Sequence, residues 1–199
     1  MNERDPGVSD PDLVEQAAAG DLDAFTRLVE GRRDRVFRIA RHLVGDDELA
    51  RDIAQDVFLR LFRVIHRFRR GGRFDAWLHR MTIHLGIDAL RRERPHRQTS
   101  SLDEGTTHQD VVPSAQPGPA QLLGAREVRR LFAELSKRLG RRQRAAFILR
   151  EIEGLSTLEV AEVLGTSEST VRNHILQARK VLRKALRERF PEYLPPGQR

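Results

Sequence analysis

The stretch TLEVAEVLGTSESTVRNHIL, residues 157–176, decides how the C-terminal part of this chain folds. Within it, Ala161, Gly165 and Val171 follow one another at intervals of four and six residues. A small residue allows two helices to approach, a glycine supplies the turn, and a β-branched residue anchors the second helix. Ser167 stands where it can cap that second helix. The spacing therefore predicts a helix-turn-helix.

The predicted second helix, at about 168–180, separates an apolar stripe from a polar face. Val171, Ile175 and Ala178 recur at helical spacing and are expected to face inward. The other face carries side chains that can hydrogen-bond to base edges: Ser169, Thr170, Arg172, Asn173 and Gln177. The basic residues predicted to contact phosphates are Arg141, Arg142, Arg144, Arg179 and Lys180. The pattern favours DNA binding, and the alternative is a packed helical hairpin without a DNA partner.

The nine prolines divide the chain into two blocks, because none falls within 13–92 or 121–190. A proline inside a helix costs ~3 kcal/mol, and neither block has the alternating pattern of strands. We therefore predict an all-α fold of two small helical domains joined by a flexible linker. The predicted parts are a flexible N-terminus at 1–10, a first domain at 11–93, an acidic Pro/Ser/Thr linker at 94–119, a second domain at 120–190 and a flexible tail at 191–199.

The 199 residues carry 36 Lys+Arg and 29 Asp+Glu, a formal net charge of +7 that is unevenly spread. Residues 66–97 have nine basic and three acidic side chains, and residues 121–199 have seventeen and nine. Two basic blocks favour a polyanionic partner such as nucleic acid. The absence of cysteine excludes disulfides, thiolate metal sites and a Cys nucleophile. No apolar run is long enough for a membrane span, so we expect a cytoplasmic protein without membrane insertion.

Asp21 and Asp46, each directly after a glycine, are predicted to cap two successive helices. The first is predicted to be a single helix that carries Phe25, Leu28, Val36, Ile39, Ala40 and Leu43 inward.

The second of these helices, predicted at about 47–68, has an unusual outer face. Its core stripe is formed by Ala50, Ile53, Val57, Leu61, Ile65 and Phe68, at spacings of three and four. The opposite and flanking positions hold Asp52, Gln55, Asp56, Leu59, Phe62 and Arg63. Exposed apolar residues beside charges are typical of a protein-docking surface. The alternative, in which Phe62 packs beneath a neighbouring helix and the acids are merely solvated, stays open on spacing alone.

A basic loop with two glycines, at 68–74, precedes a helix predicted at about 74–92. Trp77, Arg80, His84 and Arg91 share one face of this helix, beside the apolar stripe that begins at Phe74. An aromatic ring among arginines is typical of single-stranded nucleic-acid binding, since bases stack and guanidinium groups meet phosphates. The alternative is that Trp77 belongs to the core.

Candidate catalytic and metal-binding groups are few. His79 and His84 are five residues apart, about 140° around a helix, so they cannot share a metal ion as an i, i+4 pair can. The sequence has no nucleophile elbow, phosphate-cradling glycine loop or DxD cluster. We therefore predict no enzymatic activity, no metal and no cofactor.

Four segments carry a family resemblance. Residues 12–30 (DLVEQAAAGDLDAFTRLVE), 52–62 (DIAQDVFLRLF) and 73–92 (RFDAWLHRMTIHLGIDALRR) are similar to domain 2 of the extracytoplasmic-function, or group IV, RNA polymerase sigma factors. Residues 141–186, RRQRAAFILREIEGLSTLEVAEVLGTSESTVRNHILQARKVLRKAL, are similar to their domain 4. The resemblance spans about 11–92 and 121–189. The chain has His84 where the family usually has Asn, and Gly140 where it often has Pro.

The resemblance implies a role for each surface. The docking face Asp52, Gln55, Asp56, Leu59, Phe62 and Arg63 would bind the β′ clamp helices of core RNA polymerase, and the second domain would contact the β flap. The loop at 66–73 would take a flipped base. The −10 element, as single-stranded DNA, would be held by Arg69, Arg70, Arg73, Trp77, Arg80, His84, Arg91 and Arg92. The −35 element, as duplex, would be read by Ser169, Thr170, Arg172, Asn173, Gln177 and Lys180. An anti-sigma factor is the implied regulator.

Two functions remain in competition. The leading hypothesis is an alternative sigma factor that binds core RNA polymerase, recognises −35 and −10 elements and promotes DNA opening for transcription initiation. The alternative is a free-standing helix-turn-helix regulator, because TVRNH at 170–174 resembles the response-regulator type of DNA-binding domain. Such a regulator needs a receiver or ligand domain, and 1–92 lacks the strand–helix alternation of one.

Overall fold

The chain folds into two helical domains in a computed structural model that describes residues 10–68, 71–96 and 119–193. Within these ranges the ordered elements are all helical. The N-terminal domain contains α1 (Asp10–Ala18), α2 (Leu22–Glu30), α3 (Arg33–Val44), α4 (Asp47–Val64), a 3-10 turn (Ile65–Arg67) and α5 (Phe74–His96). The C-terminal domain contains α6 (Pro119–Ser136), α7 (Arg141–Phe147), a π-helical turn (Ile148–Ile152), α8 (Thr157–Leu164), α9 (Glu168–Arg189) and a 3-10 turn (Pro191–Tyr193). The predicted all-α fold of two domains is confirmed.

The helix starts follow the caps that the sequence predicts. Asp21 accepts a hydrogen bond from the Ala24 amide at 3.0 Å, and Asp46 accepts one from the Leu49 amide at 2.8 Å. Each carboxylate satisfies an amide that has no partner within the helix. The sequence predicted a single helix after Asp21, which is wrong, because the chain breaks after Gly31. That break lets α3 turn independently of α2 and pack against α4 and α5.

The core of the N-terminal domain lies between α3, α4 and α5. The predicted α4 stripe is buried from Ala50 to Ile65, with each of its five apolar members at most 4% exposed. α3 and α5 approach closely at Gly86, where a Cβ atom would lie 2.5 Å from Cδ2 of Leu43. A side chain at this position would therefore force the fully buried Leu43 side chain to shift.

The helix-turn-helix has the predicted geometry. Ser156 and Glu159 cap α8 reciprocally, through a 3.2 Å bond to Oγ of Ser156 and a 2.8 Å bond to Oε2 of Glu159. Gly165 ends α8 with φ +62°, in the left-handed region that favours glycine. Ser167 then accepts a bond from the Thr170 amide at 3.2 Å and begins α9. Val171 is fully buried and anchors that second helix.

A second apolar cluster is shared by the two domains. Ile39, Leu43 and Ile83 of the N-terminal domain are at most 1% exposed and lie in one cluster with residues of the other domain. The C-terminal members include Ala146, Ile148, Leu149, Val160 and Val163. We call this cluster the shared core. Ile83, Ile87 and Leu90 form a second apolar strip on α5, beside the stripe that faces its own domain, and this strip packs in the shared core.

No helix among the described residues combines the length and the apolar composition that crossing a bilayer requires.

Candidate functional site

The docking face of α4 is exposed along its whole length. All six predicted members, Asp52, Gln55, Asp56, Leu59, Phe62 and Arg63, lie at the surface. Leu59 is 49% exposed and Phe62 is 53% exposed, although both are large apolar side chains. The ring of Phe62 rests edge-on against Phe25, with a centroid distance of 5.2 Å. Phe62 therefore leans on α2 without being covered by it.

α2 adds apolar surface to this face that the sequence analysis missed. Leu22 is 63% exposed at the first position of α2. Leu22, Phe25 and Phe62 line one small cavity of about 210 Å³. In the sequence, Leu22 is marked only as an apolar residue directly after the Asp21 cap. An apolar residue at such a position is ordinarily read as buried.

The aromatic part of the predicted −10 face is half-buried. Trp77 packs on Phe68 at 5.4 Å with the rings tilted by 33°, and its ring centroid is 6.2 Å from that of Phe74. Trp77 also lines a cavity of about 610 Å³, together with Phe68, Arg73, Arg80 and Glu162. Trp77 is thus packed against aromatic neighbours and is still partly accessible beside two arginines. The predicted contacts Arg69 and Arg70 lie outside the described residues.

The C-terminal half of the −10 face is exposed. His84, Arg91 and Arg92 are at the surface, and Arg91 is 3.1 Å from the Asp88 carboxylate. His84 and Arg91 line a cleft of about 800 Å³, whose other wall includes Arg142 and His174 of the second domain. This cleft is therefore predominantly basic.

The predicted base-reading face of α9 is open to solvent. Ser169, Arg172, Asn173 and Lys180 are exposed, and Thr170 and Gln177 are partly exposed. Arg172 is 3.1 Å from Glu168, and Arg179 is 2.9 Å from Glu151. Ion pairs at such exposed positions are weak, so both arginines can exchange these carboxylates for phosphates.

Arg144 does not fit the predicted set of phosphate contacts. Arg141 is partly exposed and Arg142 is exposed, but Arg144 is only 6% exposed. Burial lowers the pKa of Arg144 to about 10, and its guanidinium donates to the carbonyl oxygens of Ser136 and Leu43. In this arrangement Arg144 cannot reach a phosphate, because it lies two positions after the exposed Arg142, about 200° around the helix, and faces the interior.

A buried ion pair joins the domains beside the shared core. The Glu153 side chain is 1% exposed and accepts two bonds of 2.8 Å from Arg38 and one of 3.3 Å from Arg35. Burial raises the pKa of the Glu153 carboxyl, but the hydrogen bonds and charges of Arg38 and Arg35 outweigh it and hold that pKa below its ordinary value. No local pattern marks this ion pair, since Glu153 lies 115 residues from Arg38 and 118 residues from Arg35.

The two histidines of α5 lie in different environments. His79 is 3% exposed, and its Nδ1 has no hydrogen-bond partner. Burial, reinforced by the charge of Arg35, lowers the pKa of His79 to about 4. His84 is exposed. Among the described residues, no group of three or more His, Cys, Asp or Glu side chains is arranged to hold a metal ion.

The fold defines a class of protein: a two-domain helical protein with a helix-turn-helix in one domain and an exposed face of apolar and acidic side chains on the other. Residues 28–96 match the family model of Sigma-70 region 2, and residues 127–182 match that of Sigma-70 region 4. These matches fall on α2–α5 and on α6–α9 respectively.

Curated relatives and solved structures agree with the family models. The chain is 36% identical to the ECF RNA polymerase sigma factor SigE of Mycolicibacterium smegmatis, over 88% of this chain and 67% of that protein. It is 28% identical to SigW of Bacillus subtilis, over 88% and 95%. Among solved structures, CnrH in complex with the cytosolic domain of CnrY matches with a TM-score of 0.67 and 27% identity, over 90% of this chain and 98% of that one. The chain belongs to the extracytoplasmic-function family of RNA polymerase sigma factors.

As a family member, the protein is an alternative sigma factor for transcription initiation, whose partners are core RNA polymerase and promoter DNA. The competing hypothesis of a free-standing regulator is not favoured, because the family match extends over the N-terminal domain as well as the helix-turn-helix. Sigma factors as a class are not enzymes.

Proposed function

We propose that the docking face of α4 is the surface through which this sigma factor binds core RNA polymerase, with Leu22 and Phe25 of α2 extending it. The observation that carries this proposal is the exposure of Leu59 and Phe62 among the carboxylates of Asp52 and Asp56. Apolar groups supply buried area on binding, and the charges around them fix the register.

The −10 face of α5 is proposed to hold the melted strand of the promoter. Arg73, Arg80, Arg91 and Arg92 would meet phosphates, and the partly exposed ring of Trp77 would stack on a base. His84 would occupy the position that is usually Asn in the family. Unstacking a base costs a few kcal/mol per base step, and the free energy of binding the unstacked bases can offset that cost. The DNA duplex can then be opened without any covalent bond being made or broken. We accordingly infer that the protein carries no catalytic site of its own and acts in the cytoplasm with the polymerase.

The −35 face of α9 is proposed to enter the major groove. Ser169, Arg172 and Asn173 lie near the start of α9, where recognition helices contact base edges. Thr170 and Gln177 complete this face, and Arg141, Arg142, Arg179 and Lys180 would contact the flanking phosphates. The linker at 94–119 and the flexible termini stay predictions of the sequence.

An anti-sigma factor is the proposed regulator. The solved structure of CnrH contains the cytosolic domain of CnrY, and that of RpoE from Bartonella quintana, at 19% identity and a TM-score of 0.62, contains the anti-sigma factor NepR. The first likeness supports a protein partner that binds the present chain directly, and the second supports the fold alone.

Co-elution of the full chain with purified core RNA polymerase tests the docking face. Asp56→Arg and Phe62→Asp each place a mismatched charge at its centre, and we expect both variants to lose co-elution. Glu48→Arg is the matched control, since it makes the same charge change on the exposed side of α4 two turns earlier. Retention of the complex by both docking variants would refute this assignment.

A further inference from the structure

We propose that the basic cleft between α5 and the start of α7 is a binding site for a free nucleotide that carries several adjacent phosphates. It is the cleft of about 800 Å³ that His84 and Arg91 share with Arg142 and His174. Basic side chains line its walls, and apolar side chains form its floor. The inference goes beyond the proposed function, because neither polymerase docking nor promoter recognition requires a free nucleotide.

The arginines of the cleft come from parts of the chain that are distant in sequence. Arg91 lies on α5, and Arg141 and Arg142 begin α7 on the other side of the cleft. The Arg91 side chain is 63% exposed, Arg142 is exposed and Arg141 is partly exposed. All three guanidinium groups are therefore accessible to a ligand that enters the cleft from solvent.

Carboxylates compensate this positive charge only in part. Asp88 is the only carboxylate in the lining of the cleft, as far as the structure describes the chain, and it is 3.1 Å from Arg91. Among the described residues, Arg141 and Arg142 form no ion pair, whereas Arg73 holds two carboxylates. Like charges that are held together without counter-charges attract an anion. The cleft is thus suited to an anionic ligand.

The arginines favour phosphate groups, and their placement favours more than one of them. A guanidinium donates two parallel hydrogen bonds to a phosphate, with a geometry that an ammonium cannot reproduce. A single phosphate would meet the arginine of one wall, whereas a row of phosphates can meet Arg91 on one wall and Arg142 on the other. The ligand should therefore carry adjacent phosphates.

The floor of the cleft favours an attached flat, apolar group. Ile83 is 1% exposed and Leu139 is 7% exposed, and Ile87 and Leu164 are partly buried. Ile83, Ile87 and Leu164 belong to the shared core, so the floor is an edge of that core. Small-molecule sites typically lie between domains, have volumes of about 300–1,000 Å³ and combine an apolar surface with a few polar groups. A nucleobase fits such a floor.

The phosphates of DNA are the other possible source of this chemistry, since the same arginines belong to the proposed DNA-binding faces. A duplex presents its phosphates on a convex outer surface and keeps its bases stacked inside. The cleft is concave and has an apolar floor, which a duplex would leave uncovered. These features favour the free nucleotide, and the experiment includes both sources.

Calorimetric titration of the full chain with ATP, without polymerase or DNA, is the primary test. We expect one saturable site. AMP should bind about tenfold more weakly, because it has a single phosphate, and inorganic tripolyphosphate should also bind more weakly than ATP, because it has no base. Absence of saturable ATP binding, or equal affinities for ATP and AMP, would overturn the proposal. Equal affinities for ATP and tripolyphosphate would contradict the role of the apolar floor.

Removal of the carboxylate in the cleft should increase the affinity. Asp88→Asn keeps the shape of the side chain and leaves Arg91 without its counter-charge, so ATP should bind about threefold more tightly. A damaged fold does not produce such a gain. Asp23→Asn is the matched control, because Asp23 is exposed on α2 and lies outside the cleft. Equal affinities of the two variants for ATP would contradict the position of the site.

An added carboxylate should have the opposite effect. His174 lines the cleft and has no part in the proposed DNA-binding faces. We expect His174→Glu to weaken ATP binding about tenfold. His66→Glu makes the same replacement at an exposed position outside the cleft and should leave ATP binding unchanged. Unchanged ATP affinity in a folded His174→Glu protein would refute the assignment.

The same titrations with a short DNA duplex of random sequence separate the two sources of phosphate. If the duplex binds, ATP does not, and His174→Glu weakens duplex binding, the cleft belongs to DNA and the proposal is overturned. Because these titrations contain no polymerase, the result of the docking test leaves their outcome unchanged, and the two ideas fail separately.

Discussion

The guanidinium of Arg144 donates to the main-chain carbonyl oxygen of Leu43 at 2.6 Å, across 101 residues of sequence and between the two domains. The same guanidinium donates to the carbonyl of Ser136 at 3.0 Å, so one buried cation ties α3 to the turn before α7. Arg144, which the sequence analysis predicted to contact phosphates, is instead part of the interface between the two domains.

Replacement of Arg144 should weaken the interface between the two domains. Arg144→Met keeps much of the length of the side chain but leaves two buried carbonyl oxygens without their donor, at an expected cost of about 2 kcal/mol in the free energy of unfolding. Arg142→Met, two positions away on the surface, should change it by no more than ~0.5 kcal/mol. Urea denaturation of both variants measures the difference, and equal stabilities would contradict the structural role of Arg144.

The buried His79 should make stability depend on pH. Its folded pKa is lowered to about 4 from an ordinary value of 6.5, chiefly by burial and then by the charge of Arg35. Between these values the unfolded chain binds the proton first, so stability is complete above pH 6.5 and declines as the pH falls towards 4, by up to ~1.4 kcal/mol per pH unit. His79→Leu should flatten that part of the profile. Denaturant titrations at several pH values measure the free energy of unfolding of the wild-type and His79→Leu proteins. If the two depend on pH in the same way, the lowered pKa of His79 is contradicted.

The close approach of α3 and α5 should make Gly86 intolerant of a side chain. Gly86→Ala places a Cβ atom 2.5 Å from Leu43, and relief of that overlap should cost about 1–3 kcal/mol. Gly124→Ala in α6 is the control, because a Cβ atom there meets nothing within 4 Å. That variant should gain up to ~1 kcal/mol from helix propensity. Thermal unfolding of the Gly86→Ala and Gly124→Ala proteins compares the two effects on Tm. Changes in Tm of the same sign would contradict the close packing of Gly86 against Leu43.

The −35 face should separate specificity from affinity. Arg172→Ala removes a side chain placed for base edges and should relax discrimination among duplex sequences, whereas Lys180→Ala should weaken all sequences alike. With the four phosphate contacts that remain once Arg144 is excluded, Arg141, Arg142, Arg179 and Lys180, the plot of log K against log salt should have a slope of roughly −3 to −4. Binding titrations with several duplex sequences measure the discrimination, and titrations over a range of salt concentrations measure the slope. A slope near zero would exclude a basic DNA-binding face.

Local features of the chain were predictable because their causes are local. The α4 stripe and the caps at Asp21, Asp46 and Ser167 depend on residues within one or two helical turns, so spacing was sufficient. The break between α2 and α3 was missed, because Gly31 alone does not reveal that the next helix must turn to meet α4 and α5.

The surfaces could be predicted in part. The docking face followed from the period of α4, but the contribution of Leu22 depends on how α2 packs beside Phe62. Trp77 was left between two interpretations, and in the tertiary structure it is packed against aromatic neighbours and still partly accessible.

By itself the sequence determined two helical domains, a helix-turn-helix and the separation of charge that marks DNA-binding surfaces. These features depend on hydrophobic periodicity, the positions of the prolines and local charge, all of which involve residues that are close together in the sequence. Only the tertiary structure decided that Glu159 and Glu162 meet Arg73, and that Arg144 is buried against Leu43. Those contacts depend on how the two domains pack through the shared core, and no local pattern specifies which charged residues are brought together there.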